Sequence, residues 1–197
     1  YHPRGLSLNA LPEGSIVGTC SLRRTGQLRN LRRDLIVKDI RGNVETRMGK
    51  VHSGEYDAIV LAAAGMIRLK YDISNYYKFN YDEIIPAPGQ GALAVEIRKD
   101  NKKLEKLLKE IDEIKIRESI EIERGILSYI GGGCSVPVGA ITSINSLNTI
   151  ACIVDPANGK KTLIKEDNWK GETAELAKVI SRRLLSNGGN QIIRKYN

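Results

Sequence analysis

Residues 15–24 read SIVGTCSLRR, a short β-branched run that leads directly into a basic segment. The apolar residues predict a buried strand over 15–19, and Ser21 can cap a helix from Leu22 to about Arg33. Two further strand–helix pairs follow, with strands at 35–40 and 57–62 and helices at 44–52 and 63–69. This alternation predicts βαβ units and therefore a parallel sheet.

Arginines occur where these predicted strands end and the next helices begin. Arg23 and Arg24 lie in the first turn of the first helix, Arg41 follows the second strand, and Arg47 and Arg68 lie in the next two helices. Open α/β sheets bind ligands at the carboxyl ends of their strands, close to helix N-termini. The sequence therefore predicts a sheet edge that binds an anion, although several of these residues could equally be scattered surface arginines.

The overall charge also favours an anionic partner. The 197 residues carry a net charge of +8, which suits nucleic acid, an acidic membrane surface or an acidic small molecule. Nine of the fifteen arginines fall within the first 68 residues, and arginine is favoured where carboxylate or phosphate is bound in a bidentate manner. No apolar run approaches the ~18 residues of a membrane span.

The cysteines and histidines exclude other classes of site. The three cysteines, Cys20, Cys134 and Cys152, have no paired spacing, which disfavours a disulfide framework and favours a reducing cytosol. There are only two histidines and no Cys-x-x-Cys, so no zinc site is expected.

The second half of the chain predicts a crossover and then an α+β unit. The proline- and glycine-rich residues 86–91 indicate a crossover or hinge. The predicted elements that follow are a strand at 92–97, helices at 102–111 and 116–130, a strand within 135–141, a hairpin of 149–154 with 161–165, and a helix at 173–185.

Cys134 stands out because it follows three glycines and precedes Val136-Pro137 after one serine. Glycines allow close backbone approach, so this thiol could be accessible and reactive. A small buried hydrophobe at the end of a helix is the competing interpretation. From this context alone both interpretations stay open.

Five motifs, in order, resemble the porphobilinogen deaminase family. The stretch 123–139, ERGILSYIGGGCSVPVG, resembles its cofactor-attachment signature throughout. The other four resemble its two arginine-bearing loops, its third conserved βα segment and its hinge; they are residues 18–24, 41–47, 55–69 and 88–92.

The resemblance implies a fold and an activity. The fold is α/β: a parallel-sheet, periplasmic-binding-protein-like domain, followed by a smaller α+β domain with an antiparallel three-stranded sheet. The expected divisions are 1–85, the return strand and helix of a truncated first domain at 86–112, and a cofactor-attachment domain at 113–197. The activity is that of hydroxymethylbilane synthase, a cytoplasmic, monomeric transferase that condenses four porphobilinogens, with loss of ammonia, in haem and tetrapyrrole biosynthesis.

The resemblance also assigns residues. A dipyrromethane cofactor is expected on Cys134 through a thioether, with its carboxylates bound by a set that comprises Ser21, Arg23, Arg24, Arg41, Arg47 and Gly65. Substrate carboxylates are expected at Arg41, Arg47 and Arg68, and Gln90 at the hinge. Neither a membrane nor nucleic acid is an expected partner.

Two departures from the family pattern qualify these expectations. Cys20 stands where the family usually has serine. The family's first domain begins before residue 1 and carries the catalytic aspartate, so no catalytic residue is expected in this chain, and the chain alone is expected to be inactive. The apolar face of 86–112 would then be uncovered and could drive association.

Two rival functions remain. A nucleic-acid-binding module would fit the charge, but stacking platforms place aromatics among basic residues, and here the tyrosines cluster away from the arginines. A non-catalytic sensor or carrier would bind a carboxylated ligand reversibly, with no covalent group on Cys134.

Overall fold

A computed structural model describes residues 1–131, 133 and 136–196. Within these residues the chain forms a parallel sheet followed by an antiparallel sheet, each with its own helices. This arrangement confirms the predicted α/β organisation at that level of detail. None of the described helices has the length and apolar character that crossing a bilayer requires.

The first sheet contains three short parallel strands in the order β2-β1-β3. After a 3-10 turn at Leu8–Ala10, its elements are β1 (Ile16–Gly18), α1 (Leu22–Leu31), β2 (Ile36–Lys38), α2 (Val44–His52), β3 (Ala58–Ile59) and α3 (Ala63–Arg68). Val17 of the central strand pairs with Val37 on one side and Ala58 on the other. The three predicted βα pairs are thus confirmed, with strands shorter than expected.

The second sheet is antiparallel, in the order β4-β5-β6. Its elements are α5 (Ile114–Ile130), β4 (Val138–Thr142), β5 (Thr149–Val154), β6 (Lys161–Glu166) and α6 (Thr173–Leu184), followed by a π-type turn at Leu185–Gly189 and α7 (Asn190–Ile193). Gly125 allows α5 to pack closely on α6, because a Cβ there would lie 2.9 Å from that of Ala177. The α5, α6 and sheet side chains form one apolar core around Ile126, Ile153 and Ile180.

The segment that joins the two sheets differs from its prediction. Residues 92–98 form no strand, and α4 spans only Lys102–Leu108. Leu93 is 78% exposed and Ile111 is 70% exposed. A strand needs a neighbouring edge to pair its backbone groups, and in the described structure each of the two sheets contains only its own three strands. The sequence pattern of residues 92–97 could not reveal that no neighbouring strand is available to pair with them in the described structure.

Helix α1 connects the two sheets. Gly26 packs on Val154, where a Cβ would lie 2.8 Å from a valine methyl. The Asn30 side-chain amide donates to Gly159 O (2.9 Å), and Arg29 donates to Pro156 O. One face of the helix that follows β1 is therefore fixed against the β5–β6 turn, while its N-terminal end lies at the carboxyl edge of the parallel sheet.

Candidate anion-binding site

The N-terminus of α1 positions two of the predicted site residues. Ser21 caps the helix, with its Oγ accepting from the Arg24 N–H at 3.4 Å. The Ser21 N–H donates to Thr19 Oγ1 (3.2 Å), so this amide already has a partner. The cap fixes the turn in which Arg23 and Arg24 leave the carboxyl end of β1.

The guanidinium groups of Arg24 and Arg47 lie close enough for their positive charges to repel each other. Arg24 Nη1 donates to Val60 O (2.9 Å), and Arg47 Nε donates to Gly42 O (2.7 Å) at the start of α2. Burial, and secondly the nearby Arg47 charge, lower the pKa of Arg24. Two half-buried cations that repel each other form a site that an anion would stabilise.

Arg41 and Arg68 are exposed arginines that follow the second and third strands. Arg41 follows the buried Ile40 and precedes Gly42, whose φ is +118°. Arg68 is the last residue of α3 and is exposed. Among the described residues, no side-chain carboxylate lies within ion-pair distance of Arg24, Arg47 or these two. The sheet edge therefore carries cationic charge that no described acidic side chain pairs.

Gly65 lies in the first turn of α3. Its N–H donates to Ala62 O at 3.0 Å, so in this conformation that donor is used within the helix. A Cβ built at Gly65 would meet nothing within 4 Å. Open space therefore borders the first turn of α3 at Gly65.

Arg23 points elsewhere. It is 5% exposed, and its guanidinium donates to Ile85 O (2.5 Å) and to Gln90 Oε1 (3.3 Å). Burial, and secondly Arg24, lower the pKa of Arg23 to about 10. The structure thus brings Arg23 and the predicted hinge residue Gln90 together, and it directs this cation to the crossover rather than to the exposed edge.

Two polar residues that sequence reasoning did not single out complete the crossover contacts. Gln27 is fully buried and bonds both the N–H and the C=O of Ile85, at 2.8 and 3.0 Å. Glu123 is 4% exposed and accepts from Gly89 N (2.6 Å) and Thr142 N (2.8 Å). Burial raises the pKa of Glu123 despite these two backbone donors.

A sequence signal for Glu123 did exist. Its position is three residues before Ile126 and seven before Ile130, on the apolar face of α5. A charged residue at such a position requires a partner or a function.

Cys134, the predicted attachment residue, lies outside the described residues, as do Gly132, Ser135 and Asn197. The flanking helix α5 is capped by Gly131, at φ +81°, and β4 begins at Val138. Of the other cysteines, Cys152 is fully buried, and burial raises the pKa of its thiol to about 11. Cys20 is exposed, with its Sγ donating to Ile40 O at 2.7 Å.

The fold and the candidate site together define an α/β protein with an arginine-lined edge on a parallel sheet and a separate antiparallel domain. Residues 2–106 match the family model described as porphobilinogen deaminase, dipyromethane cofactor binding domain. Residues 117–186 match the porphobilinogen deaminase C-terminal domain. The chain therefore belongs to the porphobilinogen deaminase family.

Curated relatives agree with the family models. The chain is 40% identical over 190 residues to a porphobilinogen deaminase of Roseiflexus sp. (strain RS-1), covering 96% of this chain and 63% of that protein. It is 38% identical over 195 residues to the enzyme of Acidothermus cellulolyticus, covering 96% and 59% respectively. The chain thus spans about three-fifths of the length of these relatives. These matches do not favour the nucleic-acid-binding module or the non-catalytic carrier.

Proposed function

We propose that the protein containing this chain is a hydroxymethylbilane synthase, which joins four porphobilinogens head to tail with loss of ammonia. The observation that carries the proposal is the Arg24–Arg47 pair, whose adjacent cations have no described carboxylate partner. Each pyrrole of the substrate and product carries an acetate and a propionate, so the growing chain is a polyanion. Guanidinium groups suit such a ligand because they bind carboxylates through charge-assisted, bidentate hydrogen bonds.

The proposed roles of the site residues differ with their burial. Arg24 and Arg47 are half-buried and would hold carboxylates of the covalent cofactor, together with the half-buried N-cap residue Ser21. Arg41 and Arg68 are more exposed, so incoming substrate carboxylates would bind to them first. Arg23 would join this set only by leaving its partners at the crossover.

The cofactor proposal rests on the residues that would hold it. The unpaired guanidiniums fit the carboxylates of a dipyrromethane, and Cys134 would bind that group through a thioether. When bound, dipyrromethane would supply the free pyrrole α-carbon to which the first substrate unit is joined. The arginines would then orient successive carboxylates, so that each new unit reaches the same end of the chain.

The location, oligomeric state and domain organisation of the protein are also part of the proposal. We infer a cytoplasmic, monomeric enzyme in which the parallel sheet is part of a periplasmic-binding-protein-like domain and 86–112 belongs to a further domain. The exposed apolar side chains of this segment, among them Leu93, Val95 and Ile111, support that inference.

The test uses the full-length protein that contains this chain. Intact mass and cysteine peptide mapping should find a dipyrromethane on Cys134, and the protein should consume porphobilinogen. Cys134→Ser should carry no such adduct and have no activity, whereas Cys20→Ser should retain both. A wild-type protein with bare Cys134 and no porphobilinogen consumption would overturn the proposal.

A further inference from the structure

An open cavity of about 460 Å³ lies between the segment that precedes β1 and the loop that follows α3. It is lined by residues 4–5 on one side and by residues 74–78 on the other. None of these residues belongs to the candidate anion-binding site at the sheet edge. Small-molecule sites in proteins commonly measure ~300–1,000 Å³, so this cavity has room for one small ligand.

A close backbone contact joins the two sides of the cavity. Gly5 has a φ of +65°, and a Cβ at this position would lie 2.4 Å from the Asn75 carbonyl oxygen. Glycine enters this conformation without steric cost and leaves room for that oxygen. The Gly5 N–H donates to His2 O at 2.9 Å, and the Tyr76 N–H donates to Ile73 O at 3.1 Å. Each side of the cavity is therefore a closed backbone turn, and the cavity is formed without a ligand.

Two tyrosines line the cavity, and further contacts hold both of their rings. The Tyr76 ring meets the Tyr1 ring edge to face, with centroids 5.0 Å apart. The Tyr77 ring meets the Phe79 ring in the same way at 5.1 Å, and the Tyr77 hydroxyl donates to the Glu83 carboxylate. Both tyrosines are only half-buried, so part of each side chain stays accessible. Planar ligand rings pack well on tyrosine, and rings that are already held lose little conformational entropy when they bind.

The cavity also carries two cations. Arg4 and Lys78 are exposed, and among the described residues no carboxylate lies within ion-pair distance of either. Asp72 is close enough to Lys78 for their charges to interact, but its Oδ1 accepts from the Ser74 N–H at 2.9 Å. The Ser74 N–H and hydroxyl, and after them the Lys78 charge, lower the pKa of Asp72. Two cations against one carboxylate leave the cavity with a net positive charge.

We propose that this cavity is a second ligand site, which binds a small anion whose negative charge is attached to a planar ring. The ring packs on Tyr76 and Tyr77, and the acidic groups pair with Arg4 and Lys78 through charge-assisted hydrogen bonds. A heteroaromatic dicarboxylate and a nucleoside monophosphate share this chemistry. The site does not depend on the proposed enzymatic activity, because its residues and those of the arginine-lined edge do not overlap.

Chemical-shift titration of the full-length wild-type protein that contains this chain tests the site. The probes are pyridine-2,6-dicarboxylate and adenosine monophosphate, and their controls without a planar ring are succinate and ribose 5-phosphate. At least one probe should shift the amides of residues 75–78 saturably and bind there about tenfold more tightly than its control, because ring stacking adds to charge pairing. Tighter binding of the dicarboxylate identifies a carboxylate ligand, and tighter binding of the monophosphate identifies a nucleotide. No saturable shift with either probe, or equal binding of probe and control, would overturn the proposal.

Matched substitutions assign the binding to this cavity. Arg4→Gln and Lys78→Gln should each weaken the binding of the preferred probe about threefold or more, since each removes one exposed charge pair with the ligand. Lys170→Gln, the same kind of change at an exposed position of the antiparallel domain, should leave the affinity unchanged. All three side chains are exposed, so the variants should fold like the wild type. Wild-type affinity in both Arg4→Gln and Lys78→Gln would show that the probe binds elsewhere and would overturn the proposal.

Discussion

The two sheets of the molecule differ in what their cations contact. At the carboxyl edge of the parallel sheet, Arg24 and Arg47 are close enough for their charges to interact, and neither has a described acidic partner. In the antiparallel domain, Lys195 pairs with the buried Asp155 at 2.7 Å, and Arg183 pairs with Glu166. Cations that have intramolecular partners can support the fold, whereas repelling ones do not. The difference supports the proposal that the Arg24 and Arg47 charges serve to bind an anion.

Arg32 shows that the distinction follows position and not residue type. It belongs to the parallel-sheet domain, yet it pairs with Asp34 at 2.5 Å and donates to Leu8 O at 3.0 Å. It caps the C-terminal end of α1, away from the strand ends. Position therefore decides whether an arginine of this domain has a described acidic partner: Arg32 has one, and Arg24 and Arg47 have none.

The largest stability effect should come from Asp155→Asn in the antiparallel domain. Asp155 is 1% exposed and accepts from Lys195 Nζ, Tyr196 Oη and Ala157 N. Removing its charge weakens three part-buried hydrogen bonds to a buried carboxylate, at a cost of about 3 kcal/mol in the free energy of unfolding. Urea denaturation at pH 7 measures it, with the exposed Asp167→Asn as control. Equal stability of the two variants would show that the buried pair is not a fold-supporting contact.

The same variant has a defined pH dependence. Burial acts to raise the pKa of Asp155, but the bonds from Lys195, Ala157 and Tyr196 outweigh it and leave that pKa below its usual 3.8. A lowered carboxyl pKa contributes stability that is complete above the unfolded value and is lost as pH falls through the folded one. The stability gap between wild type and Asp155→Asn should therefore close as pH falls below about 4. A gap that stays constant down to pH 2 would contradict this.

At the parallel sheet the expected effect is on binding and not on stability. Arg47→Leu removes one charge-assisted contact, worth about 1.5–3 kcal/mol, from the binding of a carboxylated ligand. It also removes repulsion with Arg24, so the free energy of unfolding should change by less than about 0.5 kcal/mol. Calorimetric titration of the full-length protein with porphobilinogen, beside chemical denaturation, measures both. Arg182→Leu, at an exposed position of α6, should change neither the affinity for porphobilinogen nor the free energy of unfolding. An Arg47→Leu variant that is destabilised but binds normally would contradict the proposed difference between the two sheets.

The sequence was a good guide to each sheet and a poor guide to what joins them. Capping residues and apolar runs are local signals, so α1 after Ser21 and α2 after Asn43 could be located closely. The strand expected at 92–97 had the right local pattern, but a strand also depends on a partner edge that no local pattern reveals. Arg23 and Arg24 are adjacent and chemically identical, yet one donates to Ile85 O at the crossover and the other to Val60 O beyond β3. Only the packed chain distinguishes them.

The smallest expected effect concerns the ion pair Arg183–Glu166, which is more exposed than the Asp155 pair. Comparing the two pairs shows how much of the stabilisation in the antiparallel domain comes from ion pairing and how much from burial. The Arg183 side chain is 48% exposed and the Glu166 side chain 23%. Solvent screens such a pair, so its coupling energy should be only about 0.5 kcal/mol. A double-mutant cycle of Arg183→Leu and Glu166→Gln, followed by urea denaturation in low and high salt, measures that coupling. It should fall with added salt, whereas the Asp155 contribution should persist because its carboxylate is shielded from solvent. A coupling as large as the Asp155 effect would mean that pairing alone, without burial, distinguishes the two sheets.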